Sequence, residues 1–220
     1  VLEDIRQQVS NPDLFVITGD TAHDEVLATY ELAQQPLGDW GKVLRVVPGN
    51  HDDRAALQRV FPRGLADLAG RVTFCERWDN WQAIGLDSQI PGEVPGSLGQ
   101  PQLDWLQEQL AAQPQLWTVL FVHHPPVSVR SPWLDAIGLQ DAARLAELLA
   151  AHPRVALSMS GHVHHASAAL MGKVTVLTTP AIGPQFRPRT DEPEIDPGPP
   201  AYRVIELEAD GGWSTQVVFV

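Results

Sequence analysis

The feature of this sequence that most restricts its fold is a set of four short blocks, each of which directly follows an apolar, largely β-branched run. The blocks are Thr18-Gly19-Asp20, Gly49-Asn50-His51-Asp52, His123-His124-Pro125-Pro126 and Gly161-His162-Val163-His164. Buried strands of this kind are typical of α/β sheets, in which ligand-type residues lie at the carboxyl ends of the strands. We therefore expect the polar side chains of the four blocks to gather along one edge of a sheet.

The segments between the blocks alternate between strand and helix patterns. Predicted strands cover residues 14–18, 43–47, 72–75, 81–87, 117–122, 155–160, 174–177, 202–207 and 214–220. Predicted helices cover residues 24–35, 53–60, a segment that begins near Pro101, and residues 139–151. Because the last strands follow one another without a helix of useful length, two sheets packed face to face fit best. The predicted fold class is α/β, a four-layer αββα sandwich.

Composition limits the classes of protein that remain. The chain has 220 residues, of which 44% are hydrophobic, so one core can be built, and no apolar run is long enough to span a bilayer. Cys75 is the only cysteine, which excludes an intrachain disulfide and agrees with a reducing compartment. A formal charge of −12 argues against nucleic acid as a partner. We expect one soluble domain in the cytoplasm, residues 1–220, with a proline-rich surface loop over residues 180–200.

The residue types in the blocks indicate a metal site. An aspartate can bridge two cations, an asparagine supplies a neutral carbonyl oxygen, and imidazoles favour transition metals over Mg²⁺ or Ca²⁺. Two divalent ions would also reverse the local charge in an otherwise acidic protein. This chemistry is what the hydrolysis of a phosphate ester by two metal ions requires.

Taken together, the four blocks resemble those of the calcineurin-like metallophosphoesterase superfamily, whose members have the metallo-dependent phosphatase fold. Further stretches are similar to the bacterial 3′,5′-cyclic AMP phosphodiesterases, the class III cyclic nucleotide phosphodiesterases. These stretches are residues 1–6, 86–89, 133–135, 185–188 and 206–211. The resemblance implies hydrolysis of 3′,5′-cyclic AMP to 5′-AMP through in-line attack by a hydroxide that bridges two divalent transition-metal ions. Iron or manganese is expected, with zinc or cobalt as alternatives.

The resemblance also implies roles for individual residues. The implied metal ligands are Asp20, Asn50, His123, His162 and His164. Asp20 would bridge both ions, and His164 would serve the ion that the other imidazoles do not reach. His51 would lie over the phosphate and stabilise or protonate the leaving oxygen, so that His51 and Asp20 are the implied catalytic residues. Substrate binding is implied for Asp20, Asn50, His51 and His164.

One motif of the superfamily is missing. Its members begin with an Asp-x-His block on the first strand, which supplies two ligands to the metal served by His164, and no such block occurs here. The segment 20–23 has the wrong spacing. Either the chain lacks a natural amino-terminal stretch, or the second metal site is impaired. Because residues 1–9 read as a helix already under way, we expect an amino-terminally incomplete domain without its first strand.

Several alternatives remain open from the sequence. The same metal chemistry would suit a broader phosphodiesterase that acts on 2′,3′-cyclic nucleotides or glycerophosphodiesters, or a non-catalytic regulatory module with one metal. His124 is expected beside the ligands rather than among them. Trp133 and Phe186 lie on irregular segments near the blocks, where we expect packing roles, with a nucleotide pocket as the alternative.

Overall fold

The computed structural model of the chain describes residues 1–63, 65, 68 and 70–220. Within these ranges the helices are α1 (Leu2–Gln8), α2 (Leu27–Gln34), α3 (Arg54–Val60), α4 (Gly99–Ala112), α5 (Pro132–Asp135) and α6 (Ala142–Ala150), with a 3₁₀ helix over Gln35–Trp40. The first strands are β1 (Phe15–Ile17), β2 (Leu44–Val46), β3 (Phe74–Trp78), β4 (Trp81–Leu86), β5 (Trp117–Val122) and β6 (Val155–Ser160). The later strands are β7 (Ser167–Met171), β8 (Val174–Thr178), β9 (Gln185–Phe186), β10 (Ile195–Asp196), β11 (Ala201–Leu207) and β12 (Trp213–Phe219).

Among the described residues, the largest sheet has six strands in the order β3-β4-β5-β6-β8-β7, and we call it the main sheet. Its central strands β4, β5, β6 and β8 are parallel, while β3 and β7 pair antiparallel at its edges. Strands β1 and β2 form a separate parallel pair, and β11 and β12 form an antiparallel pair. In this part of the chain, no helix combines the length and the apolar character that a membrane crossing needs.

Apolar side chains between the sheets form the inner core. Val119 and Met159 of the main sheet are buried in one cluster with Val47, which follows β2. Val16 of β1 and Leu207 of β11 pack against the same cluster. The β1–β2 and β11–β12 pairs therefore cover the same face of the main sheet.

Helices cover the outer faces of both sheet layers. Leu106 of α4 and Leu145 of α6 are buried in a cluster with strands of the main sheet. On the other side, Tyr30 of α2 and Leu57 of α3 are buried with Val46 of β2. The order of layers is thus helix, sheet, sheet, helix, and the predicted four-layer αββα sandwich is confirmed.

The predicted elements differ from the structure mainly at helix starts. Helix α2 begins at Leu27 and not at Asp24, because the Asp24 carboxylate accepts hydrogen bonds from the Val26 N–H and the Thr29 hydroxyl. Such local bonding by aspartate competes with helix formation. Strand β7 was not predicted, and the proline-rich segment 180–200 contains the short antiparallel pair β9–β10.

A buried ion pair fixes the start of α3 against the end of β4. The carboxylate of Asp87, fully buried, forms two hydrogen bonds with the guanidinium of Arg54, at 2.7 and 2.8 Å, and lies 3.7 Å from Arg71. It also accepts from the backbone N–H groups of Val72 and Gln89. Since α3 directly follows the second polar block, this cluster holds that block in position.

We expect Asp87→Asn to lower the free energy of unfolding by about 3 kcal/mol, because the two arginines would lose the charge that compensates them. Chemical denaturation of the variant and the wild type measures the difference. Asp104→Asn, on the exposed face of α4, is the matched control and should leave stability unchanged. A loss below about 1 kcal/mol in Asp87→Asn would contradict the role given to this ion pair.

Candidate metal centre

The four polar blocks meet where strands of both sheet layers end. Asp20 and Asn50 follow the parallel neighbours β1 and β2, and His123 and His162 follow the parallel neighbours β5 and β6. Parallel neighbours present their carboxyl ends at the same edge, and the two layers align these edges. The gathering of ligand-type side chains expected from the sequence is therefore present in the structure.

Four donor atoms converge beside the His123 ring. The Nε2 atom of His123 lies 3.3 Å from Asn50 Oδ1, 3.3 Å from Asp20 Oδ2 and 3.2 Å from His162 Nδ1. Nitrogen and oxygen ligands at their usual distance from one transition-metal ion are about 3.0–3.4 Å apart. The spacing of these atoms fits a shared cation.

The hydrogen bonding of His123 supports the same conclusion. Its Nδ1 atom lies 2.7 Å from the Thr18 carbonyl oxygen, which can only accept, so Nδ1 carries a proton. When Nε2 is unprotonated, it directs a lone pair at the oxygens of Asp20 and Asn50. Burial acts to lower the pKa of His123, but the charge of Asp20 and its hydrogen bond raise it, so a proton on Nε2 takes the place of a cation when no metal is bound. Neighbouring lone pairs repel one another unless a cation or a proton lies between them. The donor set therefore suits a metal ion.

The charges in the centre also favour cation binding. Burial acts to raise the pKa of Asp20, but the charge of His123, its hydrogen bond and the backbone N–H of His51 hold this pKa far below its usual value. Asp20 is therefore ionised. Burial and the charge of His123 lower the pKa of His162, which is therefore neutral. Its Nε2 atom is buried without a hydrogen-bond partner among the described residues.

His164 lies at the rim of this cluster. Its Nδ1 atom donates to the Pro184 carbonyl at 2.9 Å, which leaves Nε2 as a lone-pair donor. The ring stacks on Phe186, with centroids 4.5 Å apart and planes inclined by 7°. Burial lowers the pKa of His164, while its hydrogen bond to Pro184 and the charge of Asp20 act in the opposite direction.

His51 lies next to Asp20. Its backbone N–H donates to Asp20 Oδ1 at 3.0 Å, and its ring packs against that of His23 at a centroid distance of 4.4 Å. The imidazole is partly exposed, as a group that meets a substrate must be. The structure thus brings Asp20, Asn50, His123 and His162 into direct contact, places the backbone of His51 against Asp20, and places His164 two residues beyond His162.

His124 is close to the donor atoms but directs neither ring nitrogen at them. Its ligand-type atoms lie within 4.8 Å of those of His123 and His162. However, Nδ1 is 2.8 Å from the Ser88 hydroxyl and Nε2 is 2.9 Å from the Val94 carbonyl. Burial and the charge of His123 lower the pKa of His124 to about 3, so the ring is neutral. It holds the loop after β4 against the centre and is not a ligand candidate.

Sequence reasoning missed the role of Asp52, the last residue of the second block. This buried carboxylate accepts hydrogen bonds from the backbone N–H groups of Gly49 at 2.8 Å, Thr21 at 3.0 Å and Ala22 at 3.3 Å. It therefore ties the loop that carries Asp20 to the loop that carries Asn50. The only sequence signal was an acidic residue at the end of a block rich in ligand types.

Two glycines allow these loops to approach. A Cβ atom at Gly49 would collide with the carboxylate and backbone of Asp20, and one at Gly19 would collide with the ring of His123. Gly19 also has a φ of +98°, which residues with a Cβ adopt only with strain. Each glycine is therefore required by the geometry of the centre.

Gly49→Ala should weaken metal binding by about 10- to 100-fold, because the new methyl group displaces Asp20 while the sheets stay intact. Metal affinity, measured by titration of metal-free protein, checks this, and circular dichroism monitors the fold. The matched control is Gly38→Ala, since a Cβ there meets nothing within 4 Å. Equal affinity in the two variants would contradict the proposed displacement.

Proteins of related sequence include named cyclic nucleotide phosphodiesterases. A protein of Escherichia coli K12 named 3′,5′-cyclic adenosine monophosphate phosphodiesterase CpdA is 35% identical over 217 residues, covering 99% of this chain and 78% of that protein. A 3′,5′-cyclic-nucleotide phosphodiesterase of Nostoc is 32% identical, covering 98% of this chain and 79% of its own length.

Solved structures share the fold at lower identity. A dimetal phosphatase from Danio rerio superposes with a TM-score of 0.68 at 17% identity, covering 93% of this chain and 82% of that one. The family model for calcineurin-like phosphoesterases matches residues 1–166. These matches bear out the resemblance that the polar blocks indicated. The chain belongs to the calcineurin-like phosphoesterase family and is a metallophosphoesterase.

Proposed function

We propose that this enzyme hydrolyses 3′,5′-cyclic AMP to 5′-AMP with the aid of two divalent transition-metal ions. The observation that carries the proposal is the convergence of Asp20, Asn50 and His162 on the Nε2 atom of His123. The substrate is supported by the relatives named as cyclic nucleotide phosphodiesterases, whose similarity extends over nearly the whole chain.

The donor set determines how the ions would be held. We propose that Asn50, His123 and His162 bind one ion, that His164 binds the other, and that Asp20 bridges them. Bound divalent ions supply a strong nucleophile at neutral pH and neutralise charge on the phosphate. Mixed imidazole and carboxylate donors suit iron or manganese, with zinc or cobalt as alternatives.

His51 is proposed to act on the leaving oxygen. In a 3′,5′-cyclic nucleotide this is the ribose O3′, which stays attached to the product and needs a proton when its bond to phosphorus breaks. The His51 ring is partly exposed beside the centre, and its backbone is fixed by the hydrogen bond to Asp20. An imidazole in this position can protonate the oxygen or stabilise its charge.

We propose that the enzyme acts in the cytoplasm on a small anionic substrate. The single cysteine, Cys75, is unpaired, which agrees with a reducing compartment. The net charge of −12 favours a small phosphate ester over a nucleic acid, since metal ions can reverse the charge only locally.

A comparison of kcat/KM tests the substrate. The metal-loaded enzyme should prefer 3′,5′-cyclic AMP over 2′,3′-cyclic AMP and glycerophosphoethanolamine by at least about tenfold in kcat/KM, that is, by about 1.4 kcal/mol of transition-state stabilisation. Equal values for the three diesters would favour the broader phosphodiesterase. Absence of turnover with all three would overturn the proposal.

His51→Ala should lower kcat by about 10²- to 10⁴-fold while the metal content stays at the wild-type level, because the variant loses a proton donor and no ligand. Asp20→Ala should instead lose metal and turnover together. Elemental analysis and steady-state kinetics separate the two effects. His152→Ala, after α6 and outside the centre, is the control. Loss of metal from His51→Ala would show that its role is misassigned.

A further inference from the structure

Two aromatic side chains stand next to the candidate metal centre. Phe186 stacks face to face on His164, and Trp133 meets Phe186 edge to face at a centroid distance of 5.1 Å with an angle of 81°. Phe186 therefore contacts a residue that is proposed to hold one of the two ions. Trp133 and Phe186 are both partly exposed, so neither side chain lies entirely within the hydrophobic core.

The orientation of Trp133 is fixed by the segment that carries Phe186. Its indole N–H donates to the Thr190 hydroxyl at 3.2 Å. The backbone N–H of Arg189 donates to the buried hydroxyl of Ser131, two residues before the tryptophan, at 2.7 Å. Because these bonds satisfy the polar atom of the indole and tie the two segments together, the rings form a preorganised apolar surface.

The aromatic surface also packs against a buried apolar cluster. Val129, Leu134 and Val163 form a small buried cluster, and Trp133 and Phe186 pack against it. Val163 lies between His162 and His164 in the sequence, so the surface and the candidate ligands share one support. Movement of the aromatic pair relative to the metal centre is restricted as a result.

We propose that Trp133 and Phe186 form the subsite that binds the purine base of the substrate by stacking. The inference rests on the proposed function. A 3′,5′-cyclic nucleotide carries its phosphate at C3′ and C5′ and its base at C1′, at the other end of the ribose, so a phosphate held at the metal ions leaves the base to contact a neighbouring surface. Two uncharged, partly exposed aromatic rings suit a purine and offer no charged group to a glycerol headgroup. Stacking on such side chains contributes substantially to the affinity for a base.

The test compares two ligands in the metal-loaded enzyme: 5′-AMP, which has the base, and ribose 5-phosphate, which lacks it. Calorimetric titration gives the ratio of their dissociation constants. Trp133→Leu should reduce the preference for 5′-AMP by about 5- to 100-fold while the affinity for ribose 5-phosphate stays the same. Trp105→Leu, on α4 and outside the centre, is the matched control and should retain the wild-type ratio.

A second, smaller substitution keeps the test valid if Trp133→Leu does not fold. Thr190→Val removes the hydroxyl that accepts from the indole and leaves the ring in place, so it should shift the same ratio in the same direction by a smaller factor. An unchanged ratio in both variants, in an enzyme that hydrolyses cyclic AMP, would overturn the base subsite alone. Absence of wild-type turnover on any phosphodiester would overturn the proposed function, and the subsite with it.

Discussion

The hydrogen bond from His123 to the Thr18 carbonyl is the interaction on which the rest of the centre depends. It joins the end of β5 in the main sheet to the end of β1 in the other layer. By fixing the proton on Nδ1, it turns the Nε2 lone pair toward the oxygens of Asp20 and Asn50. A Cβ atom at Gly161 would lie 2.8 Å from the same carbonyl, so this glycine keeps the approach open.

Three carboxylates that are not proposed as metal ligands organise the surrounding loops. Asp52 accepts three backbone N–H groups and joins two of the polar blocks. Asp87 secures α3, and the partly exposed Asp141 accepts hydrogen bonds from Ser97, Leu98 and Gly99 at the start of α4. Much of the functional geometry of this acidic protein thus depends on carboxyl groups that satisfy backbone donors.

The sequence predicted the strands and the gathering of the blocks because a continuous apolar run that ends in glycine and polar residues has few alternative folds. Strands β5 and β6 match their predicted bounds. Helix α6 begins at Ala142 and not at Leu139, since the Asp141 carboxylate bonds to the loop before α4. Contacts of this kind join residues far apart in the chain, and for the same reason the pairing of Trp133 with Phe186 could not be read from either segment.

The hydrogen bond from His164 to the Pro184 carbonyl links two properties that could change by substitution, the affinity for metal and the choice of substrate. The same short segment orients a candidate ligand through Pro184 and, through Phe186, contributes to the aromatic surface beside it. A substitution here would therefore alter ion affinity and ligand choice together. A change of substrate would therefore be easier through substitution of Trp133, which contacts Phe186, than through substitution in the segment of Pro184 and Phe186, which contacts His164 directly.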